Sequence, residues 1–158
     1  MNIENLFSHQ RMLNKKLLID ENLNDYKITA RMHLSIQIKI SDLANSTNCF
    51  VYWKDAETNF DKNIILDKYI KTLNHLITLG LDRGYCSLKE VFVENNEACL
   101  SDQFSNLFVD INDLRSFPSI DHYQTLLEDF LSLGLSLNLT LEEIETEFLN
   151  KTYFKIAH

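Results

Sequence analysis

The chain has 158 residues, 45% of them hydrophobic and 24% charged, which is the size and composition of one globular domain. One proline and three glycines supply little of the turn chemistry that a β-sandwich or a glycine-rich phosphate loop needs, and this favours helices. A net charge of -8 repels a nucleic-acid backbone unless the basic residues gather on one face, so nucleic acid is excluded as a partner. Cys49, Cys86 and Cys99 are odd in number and widely spaced, matching neither a disulfide framework nor a metal ribbon, and read as reduced thiols. The first sixteen residues carry charged and polar groups throughout and lack the apolar core of a signal segment, and no uncharged apolar run approaches the roughly 20 residues of a membrane span. The sequence therefore predicts a cytoplasmic protein with no membrane contact.

Apolar residues at three-and-four spacing predict an all-α bundle of about six helices. The first is expected from about Ile3 to Asp20, with Leu6, Met12 or Leu13, Leu17 and Leu18 inward and Asn22 to Asp25 as its exit turn. The second covers about Lys27 to Thr47. Its apolar positions Met32, Leu34, Ile36, Ile38, Ile40 and Leu43 are dense enough to place it near the centre, and Leu34 to Ile40 competes as a buried strand. A loop from Trp53 to about Asn59 leads to the strongest pattern, Phe60 to Arg83, where Ile65, Tyr69, Leu73, Leu76 and Leu79 or Gly80 trace one stripe and Gly84 supplies a stop. Residues Cys86 to Cys99 are irregular, with Ser87 to Val93 extended. Three helices follow at about Ser101 to Arg115, Ile120 to Leu137 and Leu141 to Thr152; Pro118 separates the first two, and Thr140 with Glu143 forms a capping box before the last. No repeat, low-complexity tract or linker divides the chain, so residues 1–158 read as a single domain.

Several stretches on these helices share order and spacing with a known family. Leu43-Ala44-Asn45 followed by Cys49-Phe50, Tyr52-Trp53 and Lys54 resembles the L-A-N-E, C-F-K-F-W-S signature of the all-α, dimeric dUTPases of phages and Gram-positive bacteria. Ile65 to Lys71 and Leu79-Gly80-Leu81 resemble that family's L-E-E-Y-V-D helix and its L-G-L end. Phe104, Leu107-Phe108, Ile111 and Leu114-Arg115 resemble its F-x-x-L-F-x-x-I-x-x-L-R helix, and Tyr123 through Leu133-Gly134 to Glu143-Ile144-Glu145 and Lys151 resemble its last two. The resemblance covers nearly the whole chain. It implies a six-helix fold, a homodimer, and two acidic pairs, E-x-x-E and E-x-x-D, that hold magnesium against the nucleotide phosphates. With i, i+3 spacing both carboxylates of a pair share a helix face, and metal-bound water splits dUTP into dUMP and pyrophosphate.

The sequence departs from that pattern where the chemistry lies. The first pair falls on Lys39 and Asp42 and the second on Lys68 and Lys71. At an effective dielectric near 20, an ammonium about 5 Å from a divalent ion is repelled by roughly 7 kcal/mol, and a protonated lysine has no lone pair to offer. Ser46 stands where L-A-N-E ends in a carboxylate, Leu73-Asn74-His75 replaces L-H-F, and of the C-terminal K-N-x-x-N-x-x-R that helps hold the nucleotide in the family, Lys151 alone survives. No catalytic residue, no bound metal and no cofactor are expected, whereas the active relatives use magnesium.

Two readings of the lysines follow. They converge where magnesium would sit and form a metal-free pocket for a nucleotide or phosphate, joined by His75 on the same helix face, or they reach to solvent, paired with Asp42 or Asp67, and bind nothing. Asp42, Asp67, Glu57 and Asp61 are candidate displaced carboxylates for a rebuilt metal site, although Asp67 is turned about 100° around the helix from Lys68 and reads as solvated. Trp53, with Phe50 and Tyr52, either stacks on a base or closes the core beside its loop. His9, His33, His122 and His158 lack paired ligand spacing and read as surface or satisfied core residues. The functional expectation is a catalytically impaired or inactive dUTPase-like pseudoenzyme, acting through protein interaction or metal-free nucleotide binding. Self-association is expected from the apolar helices Phe60 to Arg83 and Ile120 to Leu137, and a repressor or an active paralogue is an expected partner by analogy with phage members of the family. The alternative is an active dUTP or dUDP pyrophosphatase with altered metal ligands.

Overall fold

The computed structural model describes residues 1–54 and 60–151. Among them six α-helices follow in order: α1 (Glu4–Asn14), α2 (Asp25–Thr47), α3 (Lys62–Asp82), α4 (Leu100–Ser116), α5 (Ile120–Ser136) and α6 (Leu141–Asn150). The all-α expectation holds, and the strand reading of Leu34 to Ile40 falls inside α2. In the irregular segment after α3, the Ile3 amide donates to the Lys89 carbonyl at 2.9 Å and the Val91 amide to the Met1 carbonyl at 3.0 Å, an isolated bridge. No helix of the described residues is long and apolar enough to cross a membrane.

Side-chain caps set most helix starts, because the first amides of a helix have no partner within it. Asn24 accepts from the Lys27 amide at 2.9 Å. Asp61 accepts from the Asn63 and Ile64 amides at 3.0 and 3.3 Å, and Ser119 from the His122 amide at 3.1 Å. The capping box forms as predicted: the Glu143 amide donates to Thr140 Oγ1 at 3.0 Å, and the Thr140 amide to Glu143 Oε2 at 2.8 Å. Gly84 ends α3 with a φ of 77°, a conformation without penalty for glycine.

Three sequence expectations need correction. Helix α1 stops at Asn14 instead of near Asp20; Leu17 and the strongly exposed Leu18 leave the helix and wall a surface groove. Helix α2 is not enclosed. Ile36, Ile40 and Leu43 are fully buried, whereas Leu34 and Ile38 are 54% and 51% exposed on its outer face. The surplus apolar surface expected on the third and fifth helices is instead absorbed internally, since Ile65, Ile70, Leu73, Leu126, Leu127 and Phe130 are essentially inaccessible.

Helix α3 is the hub, packed against α1, α2, α5 and α6. Its crossing with α5 is reciprocal. Tyr69 of α3 donates to the Phe130 carbonyl of α5 at 2.8 Å, and its ring stacks on Phe130 at 4.4 Å. Tyr123 of α5 donates to the Leu76 carbonyl of α3 at 3.0 Å. Each hydroxyl lands four residues before a glycine of the facing helix: a Cβ at Gly134 would stand 2.6 Å from Tyr69 Oη, and one at Gly80 would collide with the Tyr123 phenol. Glycine normally costs a helix interior about 1 kcal/mol against alanine; here it opens room for a ring and a buried hydrogen bond. Burial keeps both phenols protonated.

Between α4 and α5, Asn106 Nδ2 donates to Asp110 Oδ2 at 3.3 Å and to Asp129 Oδ2 at 3.0 Å. Burial, then the hydrogen bond and charge of Asp129, push the Asp110 carboxyl from its ordinary 3.8 up to about 7. Across that window the folded chain holds a proton that the unfolded chain has released, so this group's contribution to stability falls as pH rises and levels off above about 7. Asp110→Asn, neutral at every pH, should therefore melt higher than the parent at pH 8, and the gap should open progressively from pH 4 to pH 7 in thermal scans. Parallel melting curves over that range would contradict the assignment.

Candidate functional site

Helices α2 and α3 run antiparallel, with Asp42 opposite Lys68, Lys39 opposite Thr72 and Ser35 opposite His75. Lys68 Nζ donates to the Asp42 carbonyl at 3.4 Å, and Thr72 Oγ1 lies 2.8 Å from the Lys68 carbonyl and 3.4 Å from that of Lys39. The i, i+3 spacing on each helix turns Lys39 with Asp42 and Lys68 with Lys71 into one cleft of about 230 Å3, which Asp67 also lines.

Asp67 follows the reading that pairs it with the lysines and not the one that leaves it solvated. It lies four residues before Lys71 and therefore shares that residue's face; their ion pair measures 2.8 Å. Its other oxygen takes Lys151 Nζ at 3.3 Å. Burial raises the Asp67 carboxyl, but the hydrogen bonds and charges of Lys71 and then Lys151 more than offset this and leave it below the ordinary range. Lys151 also meets Glu147 at 3.2 Å, and its carbonyl accepts from His9 Nε2 at 2.8 Å. Burial lowers the Lys151 ammonium, while Glu147 and Asp67 overcome that and hold it above its usual value. The i, i+4 spacings Asp67 to Lys71 and Glu147 to Lys151 were the available signal.

Three ammonium groups, Lys39, Lys68 and Lys71, thus line the cleft with Asp42 and Asp67, and Lys151, paired with Glu147, reaches Asp67 from the end of α6. Lys71 and Lys151 are engaged by carboxylates, whereas Lys39 and Lys68 form no ion pair among the described residues. This donor set does not fit the divalent ion of the resembled family: Asp67 is already held by two lysines, and among the described residues no group of three or more His, Cys, Asp or Glu is placed to hold a metal. Of the other candidate carboxylates, Asp61 caps α3, and Glu57 lies outside the described residues.

His75 stands one turn further along, in an adjoining groove of about 290 Å3 with Ser35, Thr78, Met32 and Leu17. The Ser35 hydroxyl donates to the Met32 carbonyl at 2.8 Å, so at 3.1 Å it accepts from His75 Nδ1, which leaves Nε2 as a lone-pair acceptor. That Nε2 is buried without a partner, as are Gln10 Oε1 and Asn74 Oδ1. Burial, then the charge of Lys39, lower the imidazole to about 4, so it adds no cation to the cleft. Gln10 donates to Asn14 at 2.8 Å and Asn14 to Thr78 at 3.2 Å, a polar chain ending at the groove that the sequence reading did not single out.

Trp53 does not close the core. It is 55% exposed, with its ring edge-on to Tyr52 at 5.2 Å and Phe50 at 6.5 Å. The C-terminal positions after Lys151 lie outside the described residues.

The family model described as dUTPase matches residues 2–155. The chain belongs to the dUTPase family. No curated protein and no solved structure matches it. Within this dUTPase-family chain the all-helical scaffold is kept, while the cleft between α2 and α3 carries Lys39, Lys68 and Lys71.

Proposed function

We propose that this dUTPase-family protein does not hydrolyse dUTP and instead binds the phosphate end of a nucleotide, or pyrophosphate, without metal. The observation that carries the reading is the placement of Lys39 and Lys68, two ammonium groups without carboxylate partners among the described residues, at one cleft between α2 and α3. Ammonium groups are point charges suited to phosphate oxygens. The adjoining groove supports a base at the other end of the same ligand, since His75 lines it with an acceptor that is buried without a partner among the described residues, and a ligand N–H would relieve the cost of an unpaired buried group.

Interaction with protein is the second part of the proposal. The outer face of α2 presents Leu34 and Ile38, one turn apart on one side of the helix, and this exposed apolar pair supports a homodimer. A repressor or an active paralogue is the other partner class in keeping with the family.

Turnover assays with dUTP and dUDP in magnesium and in manganese should give no product. Calorimetry without metal should show saturable binding of pyrophosphate and dUTP, weakened about tenfold by Lys39→Gln with Lys68→Gln, as expected for loss of charge-assisted bonds. Hydrolysis that vanishes on Asp42→Ala would establish an enzyme with altered ligands instead, and no heat at millimolar ligand would overturn the binding reading. Light scattering should give twice the 18.5 kDa chain mass; a monomer across micromolar concentrations would remove the homodimer.

A further inference from the structure

His33 breaks the expectation of a satisfied core histidine. It is only 6% exposed. Nδ1 lies 2.9 Å from the Thr29 carbonyl, which can only accept, so Nδ1 carries the hydrogen and Nε2 is left as an acceptor. That Nε2 is buried and has no partner among the described residues. Leaving such a group unpaired costs about 1–3 kcal/mol, and no element of the described fold recovers it.

The ring lines a second cleft, of about 290 Å3, on a face of α2 and α3 distinct from the lysine cleft and closed on its far side by α4. Its walls are mainly apolar and aromatic, with Leu79, Leu114, Tyr26 and Tyr85 among them. Two guanidinium groups line the same space, Arg83 at the end of α3 and Arg115 in the last turn of α4. Neither makes an ion pair among the described residues, and their charges, after burial, help keep His33 neutral. The cleft therefore offers two exposed guanidinium groups and an apolar body beside a buried lone pair. Asp25 on the rim and the partial negative charge at the ends of α3 and α4 limit how much anionic charge it can hold, which favours a single carboxylate over a phosphate dianion.

We propose that this cleft binds a small aromatic monocarboxylate whose ring bears a hydroxyl or N–H. The carboxylate pairs with Arg83 and Arg115, the ring lies between the tyrosines and the leucines, and the polar hydrogen is donated to His33 Nε2. The site is independent of the lysine cleft and needs no metal.

The test uses the full chain labelled with 15N-histidine, titrated with 4-hydroxyphenylacetate and followed by the imidazole nitrogen resonances. A saturable shift of His33 Nε2 is expected. The 4-methoxy analogue, which has no hydrogen to donate, and 4-hydroxyphenylacetamide, which has no charge, should each bind about tenfold more weakly, the factor expected for one lost hydrogen bond to a buried group or one lost charged pair. Arg83→Gln with Arg115→Gln changes only exposed side chains and should weaken the acid similarly, whereas Lys39→Gln with Lys68→Gln should leave the His33 response intact. No saturable His33 shift at millimolar acid, or equal binding of all three compounds, would overturn the proposal. Loss of the response in the lysine variant alone would do the same, by placing the ligand in the other cleft.

Discussion

The crossing of α3 and α5 fixes the frame on which the rest depends. Two fully buried tyrosines, Tyr69 and Tyr123, each reach across to a main-chain carbonyl of the opposite helix, and each is admitted by a glycine, Gly134 and Gly80. Because the arrangement is reciprocal, sliding either helix by one residue would drive a phenol into a side chain and strand a buried hydroxyl, both costly in a close-packed interior. The register of α3 is thereby set from behind. Its opposite face, bearing Lys68, Lys71 and His75, is presented to Lys39, Asp42 and Ser35 of α2.

On that fixed frame the electrostatics of the cleft run opposite to those of a cation site. Hard divalent ions need several anionic oxygens converging on one point. Here Lys71 and Lys151 engage Asp67, Lys151 also engages Glu147, and Lys39 and Lys68 remain to face any ligand. The carboxylates are part of the scaffold rather than open donors: Asp67 ties α3 to the end of α6. A cleft of this kind keeps positive charge available without the mutual repulsion that four unscreened ammonium groups would create.

Much of the fold was legible because its signals are local. Helical periodicity located all six helices, and the cap at Thr140 with Glu143 needed only adjacent residues to be read. What failed depended on tertiary context. Leu17 and Leu18 continue the apolar period of α1, yet they form the wall of a groove. Leu34 and Ile38 are as hydrophobic as Ile36 and Ile40 but lie on the outer face of α2. Asp67 was judged by its angle from Lys68, when its partner was Lys71 one turn on and Lys151 from a distant helix. The glycines of the L-G-L and L-G words gave no hint of the tyrosines they admit. For the site, the resemblance singled out Lys39, Asp42, Lys68 and Lys71, and the structure brings all four to one cleft; the orphaned acceptors on His33, His75 and Gln10 have no sequence signature, because a missing partner is visible only in three dimensions.

We propose that side-chain charge, and not a change of fold, keeps a divalent cation out of the cleft between α2 and α3. It is tested most directly by electron paramagnetic resonance of Mn2+ titrated into the parent chain and into a variant carrying Lys39→Glu, Lys68→Glu and Lys71→Asp. The account predicts free Mn2+ throughout the parent titration and saturable binding in the variant, whose helices would again supply carboxylates from both sides of the cleft. Tight binding of Mn2+ by the parent chain, abolished by Asp42→Ala, would contradict it.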